Sequence, residues 1–189
     1  MKMDILLESL HRYYEDETKV NKLLEVTEVN NKISLRIIDW FVTNYSKKNN
    51  IHYTIYINPK GEKTFESEGN IVYKQFTTYQ SYKAQLKSYS KKKFDPFCRR
   101  KRIKFNYSGD KSIETTIGQL NFFKWAIDNL IIDYILDNYS SIEEDMTTSF
   151  MKIKKHKKIS NERKKRQELS KSASRGLNQR NIPVILDFD

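Results

Sequence analysis

Cysteine, glycine and proline are scarce in this chain. Its 189 residues include one cysteine, five glycines and three prolines. A single cysteine, Cys98, excludes an internal disulfide framework and a cage of several thiolates around a metal ion. The low glycine and proline counts exclude collagen-like sequence and long flexible linkers. We therefore expect a chain suited to a reducing compartment.

Long hydrophobic runs are missing as well. No stretch approaches the roughly 20 apolar residues of a membrane-spanning helix, and the longest apolar region, Leu130 to Leu136, is interrupted by Asp133. The first residues, from Met1 to Asp4, lack the apolar segment of a signal peptide. We expect an intracellular protein that has no membrane partner.

Recognisable catalytic and metal-binding motifs are also lacking. The three histidines, His11, His52 and His156, are scattered and do not form ligand-spaced pairs with Cys98. There is no glycine-rich phosphate-binding loop, and the isolated Gly118 does not suggest one. We predict no enzymatic activity, no metal and no cofactor.

Two observations would favour an enzyme instead. Arg99 and Arg100 directly follow Cys98 and would lower the pKa of its thiol, but a nucleophilic cysteine also needs a base, and a buried structural thiol is the alternative. A cleft that brought Asp39, Asp128 or Asp133 to a histidine would favour an enzyme acting on nucleic acid.

Positive charge is what the chain has in excess. The formal net charge is +11, and residues 152–181 contain 12 basic and two acidic residues, so this segment supplies ten of the eleven charges. Such clustering is typical of proteins that bind nucleic acid or another polyanion. The side chains that we expect to contact phosphates in this basic arm are Lys154, Lys155, Lys157, Lys158, Arg163, Lys164, Lys165, Arg166, Lys171, Arg175 and Arg180.

The basic arm has other interpretations. It could be a targeting signal or dock on an acidic protein partner, and AT-rich coding sequence would itself enrich lysine. Codon bias does not explain why the charge is so unevenly placed. Residues 154–181 are predicted to be either an exposed basic helix or a disordered arm.

A second basic cluster runs from Lys83 to Lys104, with Asp95 as its only acid. The predicted nucleic-acid contacts at its centre are Lys91, Lys92, Lys93, Arg99, Arg100, Lys101 and Arg102. Six aromatic residues are interleaved with them: Tyr82, Tyr89, Phe94, Phe97, Phe105 and Tyr107. They would either offer stacking platforms for single-stranded bases or point into the core while the charges face water.

Apolar periodicity predicts an α+β fold, a small antiparallel sheet packed by amphipathic helices. Helical spacing recurs over residues 5–14 and 33–45, and more weakly over 78–90. Residues 51–57 and 71–76 are predicted to form an antiparallel pair of strands, and residues 102–107 a further strand. Asn30 and Asn31 are the candidate caps of the second helix.

The strongest helical pattern runs from a cap at Thr115 or Thr116 to Ile135, and we expect it to be the centre of the core. Its first part, through Trp125, could instead be a helix-turn-helix recognition helix, although its apolar density favours a core helix. A last helix should begin at Ser140 or Ser141. The predicted organisation is a globular domain of residues 1–151, the basic arm 152–181, and a short apolar segment 182–189 that could form a strand.

Three segments carry a resemblance: KFDPFCRRKRI at 93–103, TTIGQLNFFKWAI at 115–127, and SKSASRGLN at 170–178 with the closing IPVILDFD. Together they resemble uncharacterised proteins of nucleocytoplasmic large DNA viruses. The resemblance implies a viral protein of the host cytoplasm, where the viral factory lies, of the nucleus or of the virion. It also implies viral protein partners. It brings no established activity.

The expectation from these observations is a non-enzymatic viral protein that binds nucleic acid, DNA in preference to RNA, through the basic arm and the basic cluster. The alternative is a virion structural or protein-interaction component whose basic arm docks on an acidic protein.

Overall fold

A computed structural model describes residues 5–27, 33–97, 102–108 and 111–159. For residue 108 and residues 153–159 it describes the backbone alone. The chain divides into two units, residues 1–151 and 152–189.

Helices make up most of the described chain. The first three are α1, Ile5–Tyr13; α2, Glu17–Thr27; and α3, Leu35–Trp40. A π-helical segment, Phe41–Tyr45, continues α3 into the short α4, Ser46–Lys48. The remaining helices are α5, Thr78–Phe94; α6, Ile117–Asp128; α7, Ile131–Asp137; and α8, Tyr139–Ile159.

The strands form two antiparallel sheets. The first contains β1, His52–Ile57; β2, Lys63–Thr64; and β3, Ile71–Thr77, in the order β2-β1-β3. The second is a hairpin of β4, Ile103–Ser108, and β5, Lys111–Thr115. The predicted α+β class and the predicted pairing of β1 with β3 are confirmed.

Helix α6 lies at the centre of the core, as its apolar density predicted. Leu120, Phe122, Phe123 and Ala126 are completely buried. Thr116 caps the helix by accepting a hydrogen bond from the Gln119 N–H. Because a recognition helix must expose the face that contacts bases, the helix-turn-helix interpretation of this segment is wrong.

The structure departs from the predicted pattern at two helix ends. The N-cap of α3 is Ser34, whose hydroxyl accepts from the Ile37 N–H at 3.3 Å, so the expected caps at Asn30 and Asn31 are wrong. The long helix predicted through Ile135 breaks after Asp128, where Leu130 adopts a left-handed conformation with φ of 54°.

Every helix within the described ranges is too short or too polar to span a bilayer.

Candidate nucleic-acid interface

The buried ring of Phe94 fixes the position of the lysine-rich end of α5. Its side chain is fully buried, and its ring centroid lies 5.5 Å from that of Trp125 and 5.6 Å from that of Phe122, both on α6. The ring of Tyr82, one of the few buried residues of α5, lies 6.1 Å away. Burying an aromatic ring in such a cluster holds the backbone on either side of it. Lys91, Lys92 and Lys93 are thereby kept at the surface next to a rigid anchor.

The backbone before these lysines is sharply kinked. Ser90 has φ of 61° and ψ of 161°, which interrupts α5 between its first part and the turn of Lys91 to Phe94. This region of backbone space is almost restricted to glycine, and it costs another residue about 1–3 kcal/mol. The kink redirects the chain so that Phe94 can enter the core while the preceding lysines stay exposed.

Side chains of α6 hold the carbonyl groups at the end of α5. The Asn121 side-chain amide donates to the Lys93 carbonyl at 2.9 Å, and the Gln119 amide donates to the Pro96 carbonyl at 3.0 Å. Gly118 permits this approach, because a Cβ atom there would lie 3.0 Å from the Asp95 carbonyl oxygen and 3.2 Å from that of Lys92. Gly118 therefore has a packing role.

Most of the interleaved aromatic residues belong to the core. Tyr82, Phe94 and Phe105 are buried, and Tyr107 packs against the core from its edge. Tyr89 and Phe97 are exposed, by 38% and 44%. The interpretation of the whole set as stacking platforms is therefore wrong for the buried members, and only Tyr89 and Phe97 have faces that a base could reach.

Lys47 and Tyr79, which the sequence pattern did not single out, also contribute to the surface of α5 that carries Lys83. The Nζ atoms of Lys47 and Lys83 lie 5.5 Å and 5.7 Å from the ring centroid of the half-buried Tyr79. Lys47 comes from α4, more than thirty residues before Lys83, so only the fold brings these cations together. Lys87 is exposed one turn beyond Lys83 on the same helix.

The remaining residues of the second basic cluster are partly described. Arg102 and Lys104 are exposed, and Arg102 forms a hydrogen-bonded ion pair with Glu114 of β5 at 3.4 Å. Arg99, Arg100 and Lys101 lie outside the described residues, as does Cys98.

The predicted contacts of the basic arm fall almost entirely outside what the structure describes. Lys154, Lys155, Lys157 and Lys158 lie within the bounds of α8, without described side chains. Arg163, Lys164, Lys165, Arg166, Lys171, Arg175 and Arg180 lie outside the described residues, and so does the predicted strand 182–189.

A half-buried carboxyl group accompanies the lysines. Burial, and to a smaller extent the charge of Asp95, raises the pKa of Asp39 to about 6, while Lys91 opposes the shift. The same two carboxylates contribute to the raised pKa of Tyr82, which results mainly from burial. Asp39 therefore interacts electrostatically with Lys91 and Asp95, although it lies more than fifty residues before them in the sequence.

The other carboxylates that could have marked an enzyme lie elsewhere. Asp128 accepts hydrogen bonds from the Tyr13 hydroxyl at 3.2 Å and from Lys63 Nζ at 3.4 Å. Asp133 pairs with Lys22 Nζ at 3.0 Å. The structure thus places Asp39, Asp128 and Asp133 in three separate surroundings.

The described histidines have their own contacts. His11 stacks on Phe105 with ring centroids 4.5 Å apart, and the His52 Nδ1 lies 2.9 Å from the Asn50 carbonyl oxygen. Within the described ranges, no group of three or more histidine, cysteine, aspartate or glutamate side chains is placed to hold a metal ion.

Comparison with known proteins agrees with the viral resemblance. The model of a family described as a family of unknown function, DUF7197, matches residues 1–164. An uncharacterized protein, L507, of Acanthamoeba polyphaga mimivirus is 39% identical over 173 residues, which cover 88% of this chain and 61% of that protein. The chain thus spans less than two thirds of this relative's length. No solved structure matches. The resemblance to uncharacterised proteins of large DNA viruses is confirmed.

Proposed function

We propose a nucleic-acid-binding role for this chain, which belongs to the DUF7197 family of unknown function. It would act without catalysis, binding the phosphate backbone through the basic arm and through the exposed lysines of α5, with DNA preferred over RNA. The observation that carries the proposal is the concentration of ten of eleven net charges in residues 152–181. A segment of that composition buries little apolar surface and attracts polyanions strongly.

The exposed face of α5 supports the proposal independently of the basic arm. Lys83, Lys87, Lys91 and Lys92 are all exposed, and the buried Phe94 and the Asn121 amide hold the turn that carries Lys91 and Lys92. Cations held in place lose less conformational entropy when they bind phosphates than cations on a mobile chain do. Phosphate contacts of this kind position a protein on nucleic acid and carry no base specificity.

A viral setting gives the proposal a context. The mimivirus relative comes from a giant virus, so the site of action would be the viral factory in the host cytoplasm, the host nucleus or the virion. The alternative function uses the same basic arm to dock on an acidic viral protein, as part of the virion or of another assembly.

The test measures binding of the full chain to duplex DNA, single-stranded DNA and RNA of equal length near physiological salt. Two variants are compared with the unaltered chain: one with the twelve basic residues of 152–181 changed to glutamine, and one carrying Lys91→Gln and Lys92→Gln. A double variant with the exposed Lys60→Gln and Lys111→Gln loses the same charge as the α5 variant, but outside the proposed interface.

We expect the arm variant to lose most of its affinity and the α5 variant to lose about three- to tenfold, while the Lys60 and Lys111 control stays close to the unaltered chain. Equal losses in the α5 and control variants would mean that only total charge matters, which removes α5 from the interface. If the arm variant binds DNA as tightly as the unaltered chain does, the proposal is wrong. Binding of the unaltered chain to polyglutamate in preference to DNA would favour the acidic protein partner.

A further inference from the structure

The aromatic ring of Tyr89 is partly supported by the core and partly open to solvent. It lies nearly parallel to the ring of Phe94, at an interplanar angle of 16° and a centroid distance of 6.2 Å. This is an offset stacked arrangement, which aromatic pairs favour. Phe94 is completely buried, whereas Tyr89 is 38% exposed. The tyrosine ring therefore rests on a fixed support and can still be reached from outside.

The support under Tyr89 belongs to the centre of the fold. Phe94 packs against Trp125 and Phe122 of α6, so the ring beneath Tyr89 cannot shift without disturbing the core. Phe97, the other exposed aromatic residue of this region, has no ring partner among the described residues. A ring that is already held in place loses less conformational entropy when a flat group stacks on it. Tyr89 is therefore the better stacking platform of the two.

Backbone strain lies next to this ring. Ser90 has φ of 61° and ψ of 161°, and strained residues of this kind are found most often at ligand-binding and active sites. The kink ends the regular part of α5 directly after Tyr89 and begins the turn that carries Lys91 and Lys92. Because Tyr89 stacks on Phe94, which ends the same turn, its ring lies against the lysine-bearing turn.

The charges around the ring are all of one sign. Helix α5 contains five lysines and no acidic residue from Thr78 to Phe94. Within the described ranges, Lys87, Lys91 and Lys92 form no salt bridge, and all three are exposed. Their ammonium groups are thus available to an anionic ligand that also presents a flat face to Tyr89.

An unpaired nucleotide is a ligand with both properties. Proteins that bind single strands combine cations that follow the phosphates with aromatic side chains on which bases stack. In a duplex each base is covered by its neighbours, and a protein reaches only base edges in the grooves. A tyrosine that merely shields Phe94 would have the same exposure, so the experiment has to separate the two roles.

We infer that Tyr89 stacks on an unpaired base of single-stranded nucleic acid, while Lys91 and Lys92 bind the phosphates beside that base. The inference rests on the proposed nucleic-acid function and adds to it a contact that depends on bases. Every base has a π face, so this contact selects neither a base sequence nor DNA over RNA.

The test compares ligands that have the same phosphates and differ in their bases. The full chain is titrated with single-stranded oligothymidine, with an abasic strand of the same length, with oligouridine and with duplex DNA. We expect the unaltered chain to bind oligothymidine at least about fivefold more tightly than the abasic strand, because stacking of one base contributes about 1–3 kcal/mol. Oligouridine should show the same advantage over the abasic strand.

Two variants of Tyr89 separate stacking from shielding. Tyr89→Leu keeps an apolar side chain over Phe94 but removes the aromatic face, so we expect its affinity for oligothymidine to fall about fivefold or more. Its affinities for the abasic strand and for duplex DNA should not change. Tyr89→Phe keeps the ring and should bind every ligand like the unaltered chain.

The matched control is Tyr73→Leu on β3. Tyr73 is 50% exposed and also has two lysines beside its ring, Lys63 with Nζ at 5.4 Å and Lys74 with Nζ at 5.5 Å from the centroid. The control therefore removes an exposed tyrosine next to cations, outside the proposed contact. It should leave all four affinities unaltered.

Three results would overturn the inference. The first is equal affinity of the unaltered chain for oligothymidine and the abasic strand, a comparison that needs no variant to fold. The second is a loss in Tyr89→Leu that is as large for the abasic strand as for oligothymidine, since this indicates a structural role. The third is an equal loss in Tyr73→Leu. The proposed function fails separately, if the unaltered chain binds neither the single strands nor the duplex.

Discussion

Asp39 shows how a single residue couples the lysine-rich end of α5 to the core. Its pKa is raised from 3.8 to about 6, chiefly by burial and secondly by Asp95. Between about pH 4 and pH 6 the folded protein keeps a proton that the unfolded chain has already lost. Because stability falls with pH wherever the folded state binds more protons, the folded protein loses stability as the pH rises through this window.

Changing Asp39→Asn should remove that loss. We expect the variant to match the unaltered protein in stability near pH 4 and to exceed it above pH 6, by about 1 kcal/mol after allowance for solvent screening, or about 2–4 °C in melting temperature. Thermal melts from pH 4 to pH 8 measure this difference. Asp137→Asn, at an exposed carboxyl on α7, is the matched charge control. A pH-independent difference for Asp39→Asn would contradict the assignment.

Gly118 illustrates a residue whose meaning only the fold reveals. In the sequence it is an isolated glycine before an apolar run. In the structure it lies where the end of α5 comes so close that a Cβ atom would be 3.0 Å from a backbone oxygen. A local pattern cannot show an approach between segments about twenty-five residues apart.

At the scale of elements, α5 contains the clearest backbone strain. Ser90 adopts φ of 61° and ψ of 161° inside the helix. Glycine would adopt this conformation without a Cβ clash. The strain energy that it relieves exceeds the entropic cost of ordering glycine, which is more flexible in the unfolded chain.

We therefore expect Ser90→Gly to stabilise the protein by about 1 kcal/mol. Ser88→Gly, two residues earlier in the regular and exposed part of α5, should destabilise it by about 0.5 kcal/mol. Denaturant unfolding of both variants gives the two free energies of unfolding. Destabilisation of the same size in both would show that Ser90 is not strained.

The elements with strong apolar periodicity could be predicted from the sequence. The predicted spans of α1, β1 and β3 and the predicted start of α8 agree with the structure to within a few residues, whereas the single helix predicted through Ile135 is divided into α6 and α7. Helix α2 was missed because its three buried residues, Val20, Leu23 and Val26, are diluted among polar ones. Strand β5 was missed because its sequence KSIET has little β preference of its own, and pairing with β4 determines its conformation.

The candidate site was only partly predictable. A run such as Lys91 to Lys93 is visible as a cluster in the sequence, but the contribution of Lys47 and Tyr79 depends on packing between α4 and α5. Which aromatic residues face solvent also depends on tertiary packing, because Phe94 and Phe97 flank the same Asp95–Pro96 turn and differ completely in exposure.

At the scale of the whole molecule, the charge distribution makes binding sensitive to salt. Each neutralised phosphate of duplex DNA contributes about −0.9 to the slope of log affinity against log salt concentration. If about half of the twelve basic residues in 152–181 engage phosphates, the slope should be near −5. A salt titration of binding to duplex DNA measures it, and a chain that ends at Met151 should lose most of the slope. A shallow slope in the full chain would argue for an acidic protein partner.

Trp125 gives the molecule an internal optical reporter. Its indole N–H donates to the Ser81 hydroxyl of α5 at 3.0 Å, and its ring packs against those of Tyr82 and Phe94. The other tryptophan, Trp40, packs on Phe150 and can be changed to phenylalanine. The fluorescence emission of Trp125 would then report any displacement of α5 when a ligand binds, and no label has to be attached to the binding surface.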